Sequence, residues 1–167
     1  PSPLPASLRH LSCYLCAGQM SLPRELPPAL QHLSCGACFS VQMPERLPAA
    51  LLHLSCRRCG IVDGLPEELP ASLEHLDLSR CRSLLSLPRE LPSTLQHLNC
   101  SGCLNLQSLP ERLPASLQHL DCSECESLQG LPEELPASLL HLFCVGCESL
   151  QSIPPLPATL RHLSCGW

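Results

Sequence analysis

Pairs of cysteines separated by two residues recur along the chain, and such pairs can hold a metal ion or form a redox-active disulfide. Cys122 and Cys125 form one pair and Cys144 and Cys147 the next, with eighteen residues between Cys125 and Cys144. Two Cys-x-x-Cys pairs at this separation are typical of a four-cysteine zinc site. A zinc- or redox-dependent protein is therefore one hypothesis, and the metal content of protein purified without chelator would test it.

The cysteines, however, belong to a repeat that covers the whole chain. The motif LPxxLxHLxCxxCxxLxxLP returns every 21 or 22 residues. It predicts one domain, 1–167, of about 7.5 repeats, starting at Leu4, Leu26, Leu47, Leu69, Leu91, Leu113, Leu135 and Leu156. All fourteen cysteines fall in two columns, and all eight histidines, from His10 to His162, fall in one. Cysteines placed by a repeat are not independent ligands, so we predict core packing and no metal site.

The fourth repeat favours core packing of the cysteines over a zinc site. It has Leu78 where the other repeats have a cysteine such as Cys122, and it keeps Cys81. Leucine can replace cysteine in an apolar position but cannot bind zinc. Disulfides between neighbouring repeats are disfavoured as well, because strands about 4.8 Å apart would hold the two Cβ vectors parallel and strain the S–S torsion. Free thiols in this number predict a reducing compartment.

The spacing LxxLxCxxC predicts a leucine-rich-repeat solenoid. Leu117, Leu120 and Cys122 then point inward, and Cys125 bonds the backbone of a neighbouring turn. The strands form a parallel β-sheet on the concave face. About ten residues remain in each repeat, too few for a three-turn helix with two loops, and they contain two fixed prolines. They predict an extended, polyproline-like convex face with little helix. The uncapped solenoid ends predict homo-oligomerisation.

Composition and charge argue against several functions. The formal net charge of −5 disfavours nucleic acid as the main partner. All ten basic residues are arginines. No apolar run is long enough to span a membrane. We expect no enzyme and no cofactor, because no glycine-rich phosphate loop occurs and pairs such as Ser12 and His10 merely recur with the repeat. The chain starts at Pro1 without a methionine, so we interpret it as a fragment of a longer protein.

Side chains alternate on a strand, so the residues beside each inward leucine face the concave side. Three hypotheses apply to the histidine column. It could bind metal, it could respond to pH because imidazole titrates near about 6.5, or its stacked rings could shelter the strand ends. Arg57, Arg58, Arg80 and Arg82 form a basic patch, and Glu124, Glu126 and Glu148 form an acidic one. Opposite patches can orient a protein partner. The predicted partner-binding residues are Tyr14, Arg57, Arg58, Asp77, Arg80, Asn99, Asp121, Glu124, Phe143 and Val145.

The segment LPASLQHLDCSECESLQGLPEELPASLLHL, residues 113–142, resembles the leucine-rich repeats of bacterial type III secreted effectors of the IpaH and YopM kind. Their pattern is close to LPxxLxxLxVxxNxLxxLPxLP. This chain departs from it by having cysteine in place of both the valine and the asparagine, and one additional residue after the asparagine position.

The resemblance implies a protein-recognition module of a virulence effector that is secreted into the host cytoplasm and binds a host protein. In some family members a separate helical domain transfers ubiquitin, and the repeats choose its substrate. Nothing here matches that catalytic domain, so no catalytic residue is carried over. The complete absence of lysine is explained by a GC-rich genome, which favours arginine codons, or by a protein that works beside ubiquitin machinery.

Overall fold

A single parallel sheet runs through every repeat of the chain. The computed structural model describes residues 4–14, 19–38, 40–61 and 64–166, and Cys16, the fourteenth cysteine, lies outside them. The sheet has the order β1-β3-β5-β6-β7-β8-β9-β10, so each strand pairs with that of the next repeat. Its strands are β1 (His10–Tyr14), β3 (His32–Gly36), β5 (His53–Ser55), β6 (His75–Asp77), β7 (His97–Asn99), β8 (His119–Asp121), β9 (His141–Val145) and β10 (His162–Gly166). The predicted parallel solenoid is confirmed.

Equivalent positions of successive repeats pair in the sheet without any shift. Leu98 pairs with Leu120, and the residues on either side pair with their own counterparts. The same register holds from β1 to β10. A slip of one residue would turn every inward leucine to solvent, and the hydrophobic pattern therefore specifies this register.

The core consists of stacked columns of leucine and cysteine. On β8, Leu120 is fully buried, whereas His119 and Asp121 on either side are half-buried. Leu117, Cys122 and Cys125 are fully buried as well, and the predicted inward positions are confirmed. Each column is filled by leucine or cysteine in successive repeats, with Leu78 replacing cysteine in the fourth, so each repeat covers the apolar surface of its neighbour.

The rest of each repeat, called here the outer segment, is extended and turns sharply before the next strand. Leu117 N donates a hydrogen bond to Pro114 O at 3.0 Å, and the equivalent leucine and proline make this bond at 3.0 Å in all eight repeats. Two outer segments add a short parallel sheet of β2 (Gln19–Ser21) and β4 (Ser40–Gln42). The described residues contain no helix, and hence none long and apolar enough to cross a membrane. The expectation of little helix is confirmed.

A column of hydroxyl groups, which sequence analysis did not identify, joins the turns that precede the strands. Each hydroxyl donates to a leucine carbonyl oxygen one repeat earlier, at 2.6 to 3.2 Å. The second and third repeats have Ala29 and Ala50 at this position and lack the bond. The donors are Ser72, Thr94, Ser116, Ser138 and Thr159.

Candidate functional site

The second cysteine of each pair bonds to the backbone of the preceding repeat. Cys125 Sγ donates to Cys100 O at 3.1 Å, and Cys147 Sγ donates to Cys122 O at 3.0 Å. Equivalent bonds are made by Cys81 to Cys56 O at 2.7 Å and by Cys103 to Leu78 O at 3.1 Å. The prediction that this column bonds a neighbouring turn is confirmed. Each of these four thiols thus donates a hydrogen bond to a main-chain oxygen.

The first cysteine of each pair fills an apolar position in the core. Leu78 is fully buried, as Cys100 and Cys122 are at the equivalent positions. The thirteen described cysteines are free thiols. Burial raises the pKa of Cys81 and of Cys103 to about 12, so both remain protonated at neutral pH. Metal binding and nucleophilic attack need the thiolate, so these two thiols do not favour the zinc- or redox-dependent hypothesis, whereas the hydrogen bond with Cys122 lowers the pKa of Cys147 to about 7.

Metal-ligating side chains do not converge in the part of the chain that the structure describes. No group of three or more histidine, cysteine, aspartate or glutamate side chains there is arranged to hold an ion. The histidine column forms a stack instead. From His10 to His97, successive rings lie 4.2 to 4.4 Å apart between centroids, with interplanar angles of 13° or less.

The stack loosens beyond His97, where a phenylalanine joins it. His97 and His119 are 5.6 Å apart and tilted by 34°. The ring of Phe143 lies 5.3 Å from that of His119 and 5.3 Å from that of His162. Burial, followed by the charge of neighbouring histidines, lowers the pKa of His32, His75, His97 and His119. The neutral form of these four imidazoles is therefore favoured at neutral pH.

Three of the predicted partner-binding residues are apolar or aromatic and lie on the exposed face of the sheet, called here the sheet face. Tyr14 is 62% exposed and Val145 is 43% exposed, whereas Phe143 is half-buried between the histidines. Tyr14 Oη shares a hydrogen bond of 2.8 Å with Ser34 Oγ. Its ring also lies across Gly36, where a Cβ atom would collide with it. Tyr14 stands on the first strand and Phe143 on the seventh of eight, so the structure does not bring them together.

Three other predicted residues have local structural roles. The Oδ1 atoms of Asp77, Asn99 and Asp121 each accept a hydrogen bond of 3.0 Å from the main-chain nitrogen two residues later. Such bonds form Asx turns, which end a strand and direct the chain into the next loop. These side chains thus shape the turn that follows each strand, a role that the sequence analysis did not assign to them.

The turn that follows each strand contains a column of residues with left-handed backbone. Its members are Ala37 (φ 53°), Arg58 (φ 56°), Arg80 (φ 62°), Gly102 (φ 69°), Glu124 (φ 57°) and Gly146 (φ 71°). Glycine adopts this region freely, whereas other residues are less stable there by about 1–2 kcal/mol. Gly102 and Gly146 are the residues of this column that indicate left-handed backbone in the sequence. The arginines and the glutamate at the equivalent positions do not indicate it, so the column was not predicted.

This column, together with the residue before it and the residue two positions after it, forms an edge with exposed charged side chains that we call the turn edge. Arg57, Arg58, Arg80 and Glu124 of the predicted set are brought together here, along with Arg82, Glu126 and Glu148 from the two charged patches. The Nε atom of Arg57 lies 3.5 Å from Asp77 Oδ2 and donates to Ser79 Oγ at 3.2 Å. It therefore joins the third repeat to the fourth.

A groove of about 1100 Å³ opens between the outer segments 107–115 and 129–137. Its walls include Leu113, Leu135 and Glu133. None of the ten predicted partner-binding residues lines it, and sequence analysis gave no indication of it. No pair of charged or nucleophilic groups in it suggests a reaction, so the sheet face and the turn edge remain the candidate site.

Comparison with known proteins agrees with this geometry. A family model described as Leucine Rich Repeat matches residues 72–93. Among solved structures, YopM from Yersinia enterocolitica WA-314 is similar to this chain with a TM-score of 0.73 and 29% sequence identity, over 98% of this chain and 38% of that chain. The chain thus spans well under half of the length of YopM. No match is found among curated protein sequences. The resemblance to repeats of the YopM kind is confirmed.

Proposed function

We propose that this chain, a leucine-rich-repeat solenoid similar to YopM, is a protein-recognition module that binds a host protein through its sheet face and turn edge. One observation carries the proposal. The inward positions of the strands stay leucine or cysteine in repeat after repeat, whereas the half-buried sheet-face position after the strand leucine changes from serine to Asp77, Asn99, Asp121 and Phe143. Stacking of repeats needs only the inward positions, and variation on the exposed face is what selective binding requires.

The chemistry of the exposed surface suits a protein partner. Phe143 and Val145 form a small apolar area on β9, and Glu124 of the preceding repeat lies next to Val145 in the turn, its main-chain nitrogen donating to Val145 O at 2.7 Å. Aromatic anchors with a charged rim are common features of protein interfaces. The basic residues of the third and fourth repeats provide the opposite charge along the same edge, which favours one orientation of the bound partner.

Backbone strain on the turn edge agrees with this role. Arg58, Arg80 and Glu124 occupy left-handed positions that glycine would occupy without cost. Strained residues are frequent where a side chain is needed for binding. Ala37 has the same backbone and no functional group, so it supplies a matched control for the effect of strain alone.

By analogy with effectors of the YopM kind, the chain would act in the host cytoplasm after secretion. It would choose the target and perform no catalysis itself. If the longer protein carries a ubiquitin ligase domain, the repeats would select its substrate. The ten arginines and the absence of lysine fit this setting, because such a chain offers no side-chain amine to the ligase.

The test is affinity capture from host-cell lysate with matched variants. The double variant Phe143→Ser/Val145→Ser removes the apolar area, and Arg57→Glu/Arg58→Glu reverses part of the basic patch. Leu85→Ser, at a residue of an outer segment that is 61% exposed, is the matched apolar control. We expect one host protein to be retained by wild type and Leu85→Ser and to fall at least about tenfold with each double variant. Equal retention by all four would contradict the proposal.

A further inference from the structure

The charges of the turn edge follow two columns that run along the solenoid. The fourth repeat has Arg80 and Arg82, and the sixth repeat has Glu124 and Glu126 at the same two positions. The fifth repeat, between them, has the uncharged Gly102 and Leu104. The two repeats are thus opposite in charge, position by position, on either side of the fifth.

Main-chain hydrogen bonds hold the residues of these columns in constant register from one repeat to the next. Arg80 N donates to Ser101 O at 2.6 Å, Gly102 N to Ser123 O at 2.7 Å, and Glu124 N to Val145 O at 2.7 Å. Each step therefore has the same register as the sheet, where neighbouring strands lie about 4.8 Å apart. The arginine pair and the glutamate pair are consequently separated by about 10 Å, two steps of that spacing, and are equidistant from the fifth repeat.

The same charges have no internal partner. Within the part of the chain that the structure describes, Arg80, Arg82, Glu124 and Glu126 are exposed and form no ion pair. The side chain of Arg80 lies over Gly102, because a Cβ atom there would be 3.0 Å from Arg80 Cγ. The arginine thus extends toward the uncharged centre of the pattern, and its guanidinium remains available to another molecule.

We propose that the turn edge binds a second copy of this chain in antiparallel orientation, with a two-fold axis close to Gly102. The axis sets the fourth repeat of one copy against the sixth repeat of the other. Arg80 then faces Glu124 of the second copy, and Arg82 faces Glu126 of the second copy. Since the interface is symmetric, each pair forms twice. Further from the axis, the third repeat meets the seventh, so Arg58 faces Gly146 of the second copy and has Glu148 of the second copy two residues away in the next column.

Such a dimer is weak and sensitive to salt. Exposed ion pairs contribute about 0–1 kcal/mol each, and the net charge of −5 on each copy opposes association. Complementary charge at matched positions determines the register of the two copies, not the strength of the contact. The dimer is also closed, unlike association through the ends of the sheet, which would add further copies without limit.

Sedimentation velocity of the wild-type chain tests the proposal without any host partner. We expect a monomer–dimer equilibrium whose dissociation constant rises at least about tenfold between about 20 mM and about 300 mM sodium chloride. Arg80→Glu/Arg82→Glu and Glu124→Arg/Glu126→Arg should each abolish the dimer, since each variant sets like charges against each other. An equimolar mixture of the two variants should dimerise again, because every pair across the axis is then between opposite charges.

Arg89→Glu/Arg112→Glu, on the outer segments, is the control with the same change in charge as the first variant and should dimerise as wild type does. The proposal is overturned if the wild type stays monomeric at low salt, if the mixed variants do not associate, or if assembly continues beyond two copies. Because no host protein takes part, failure here leaves the capture experiment as a separate test of recognition.

Discussion

Cys125 Sγ donates a hydrogen bond to the main-chain oxygen of Cys100, 3.1 Å away and one repeat earlier. Cys122 Sγ makes a longer bond of 3.3 Å in the opposite direction, to Phe143 O of the following repeat. Cys122 fills a position that Leu78 also fills in the fourth repeat, whereas Cys125 fastens one turn to the next. The Cys-x-x-Cys motif of this solenoid therefore places its first cysteine in the apolar core and hydrogen-bonds its second cysteine to the preceding repeat.

The two thiols of one pair should respond differently to replacement by valine. Cys122→Val loses the 3.3 Å bond to Phe143 O but keeps an apolar side chain at a position where the fourth repeat has Leu78, and we expect the free energy of unfolding to fall by less than about 1.5 kcal/mol. Cys125→Val removes the bond to Cys100 O, and we expect a fall of about 1–3 kcal/mol. Urea titration followed by circular dichroism measures both. Equal losses, or a larger loss for Cys122→Val, would be inconsistent with the assigned roles.

The left-handed column should be stabilised by glycine. Ala37→Gly and Arg80→Gly relieve backbone strain at φ 53° and φ 62°, and each should raise the free energy of unfolding by up to about 1 kcal/mol. Gly102→Ala should lower it by about 1–2 kcal/mol, since the added Cβ atom also lies 3.0 Å from Arg80 Cγ. Thermal and urea unfolding provide the comparison. Ala37→Gly separates strain from charge, and a destabilised Ala37→Gly would refute the interpretation.

The hydroxyl column should stabilise each repeat that contains it. The single hydroxyl proton of Thr94 is shared between Ala71 O at 2.7 Å and Leu73 O at 2.8 Å, so Thr94→Val should cost about 1 kcal/mol. Ala50→Ser supplies the missing donor to the third repeat and should add up to about 1 kcal/mol. Urea midpoints measured on the same day check both changes. A stabilising Thr94→Val would show that the hydroxyl is not needed.

Stability should fall as the histidine stack is acidified. The pKa of His32, His75, His97 and His119 is lowered in the folded chain, by burial first and by neighbouring histidines next. As the pH falls through about 6.5, the unfolded chain binds protons before the folded chain does. The free energy of unfolding therefore decreases with acidification. Glu74 beside His75 and Asp121 beside His119 oppose this shift but are smaller causes than burial.

Urea midpoints at intervals from about pH 7.5 to about pH 5.5 measure this dependence, in a range above the titration of most carboxyl groups. Replacing His75 and His97 by glutamine should flatten the slope, because two of the four shifted imidazoles are then absent. A midpoint that stays constant over this range in the wild type would exclude the histidine stack as a pH-sensitive element.

Because the sequence repeats, the inward residues and the extended outer segments could be predicted from it. The columns of Leu120 and Cys122 predicted which residues point inward, and the short, proline-containing outer segment predicted extended backbone without helix. Such reasoning succeeds in a solenoid because each repeat packs only against its neighbours in constant register. It missed the left-handed backbone of Arg80 and Glu124, because neither residue type indicates that conformation, and it missed the hydroxyl of Thr94, whose acceptor lies in another repeat.

The amino-acid sequence alone determined that the chain stacks its turns, which side chains fill the interior, and which positions vary on the exposed side. Only the tertiary structure decided which charges share an edge, that Arg80 lies over Gly102, and that the histidine rings stack from His10 to His97. The physical reason is distance along the chain. Residues 22 positions apart become neighbours only when the strands align, and their contacts then depend on register and on backbone angles that no single repeat contains.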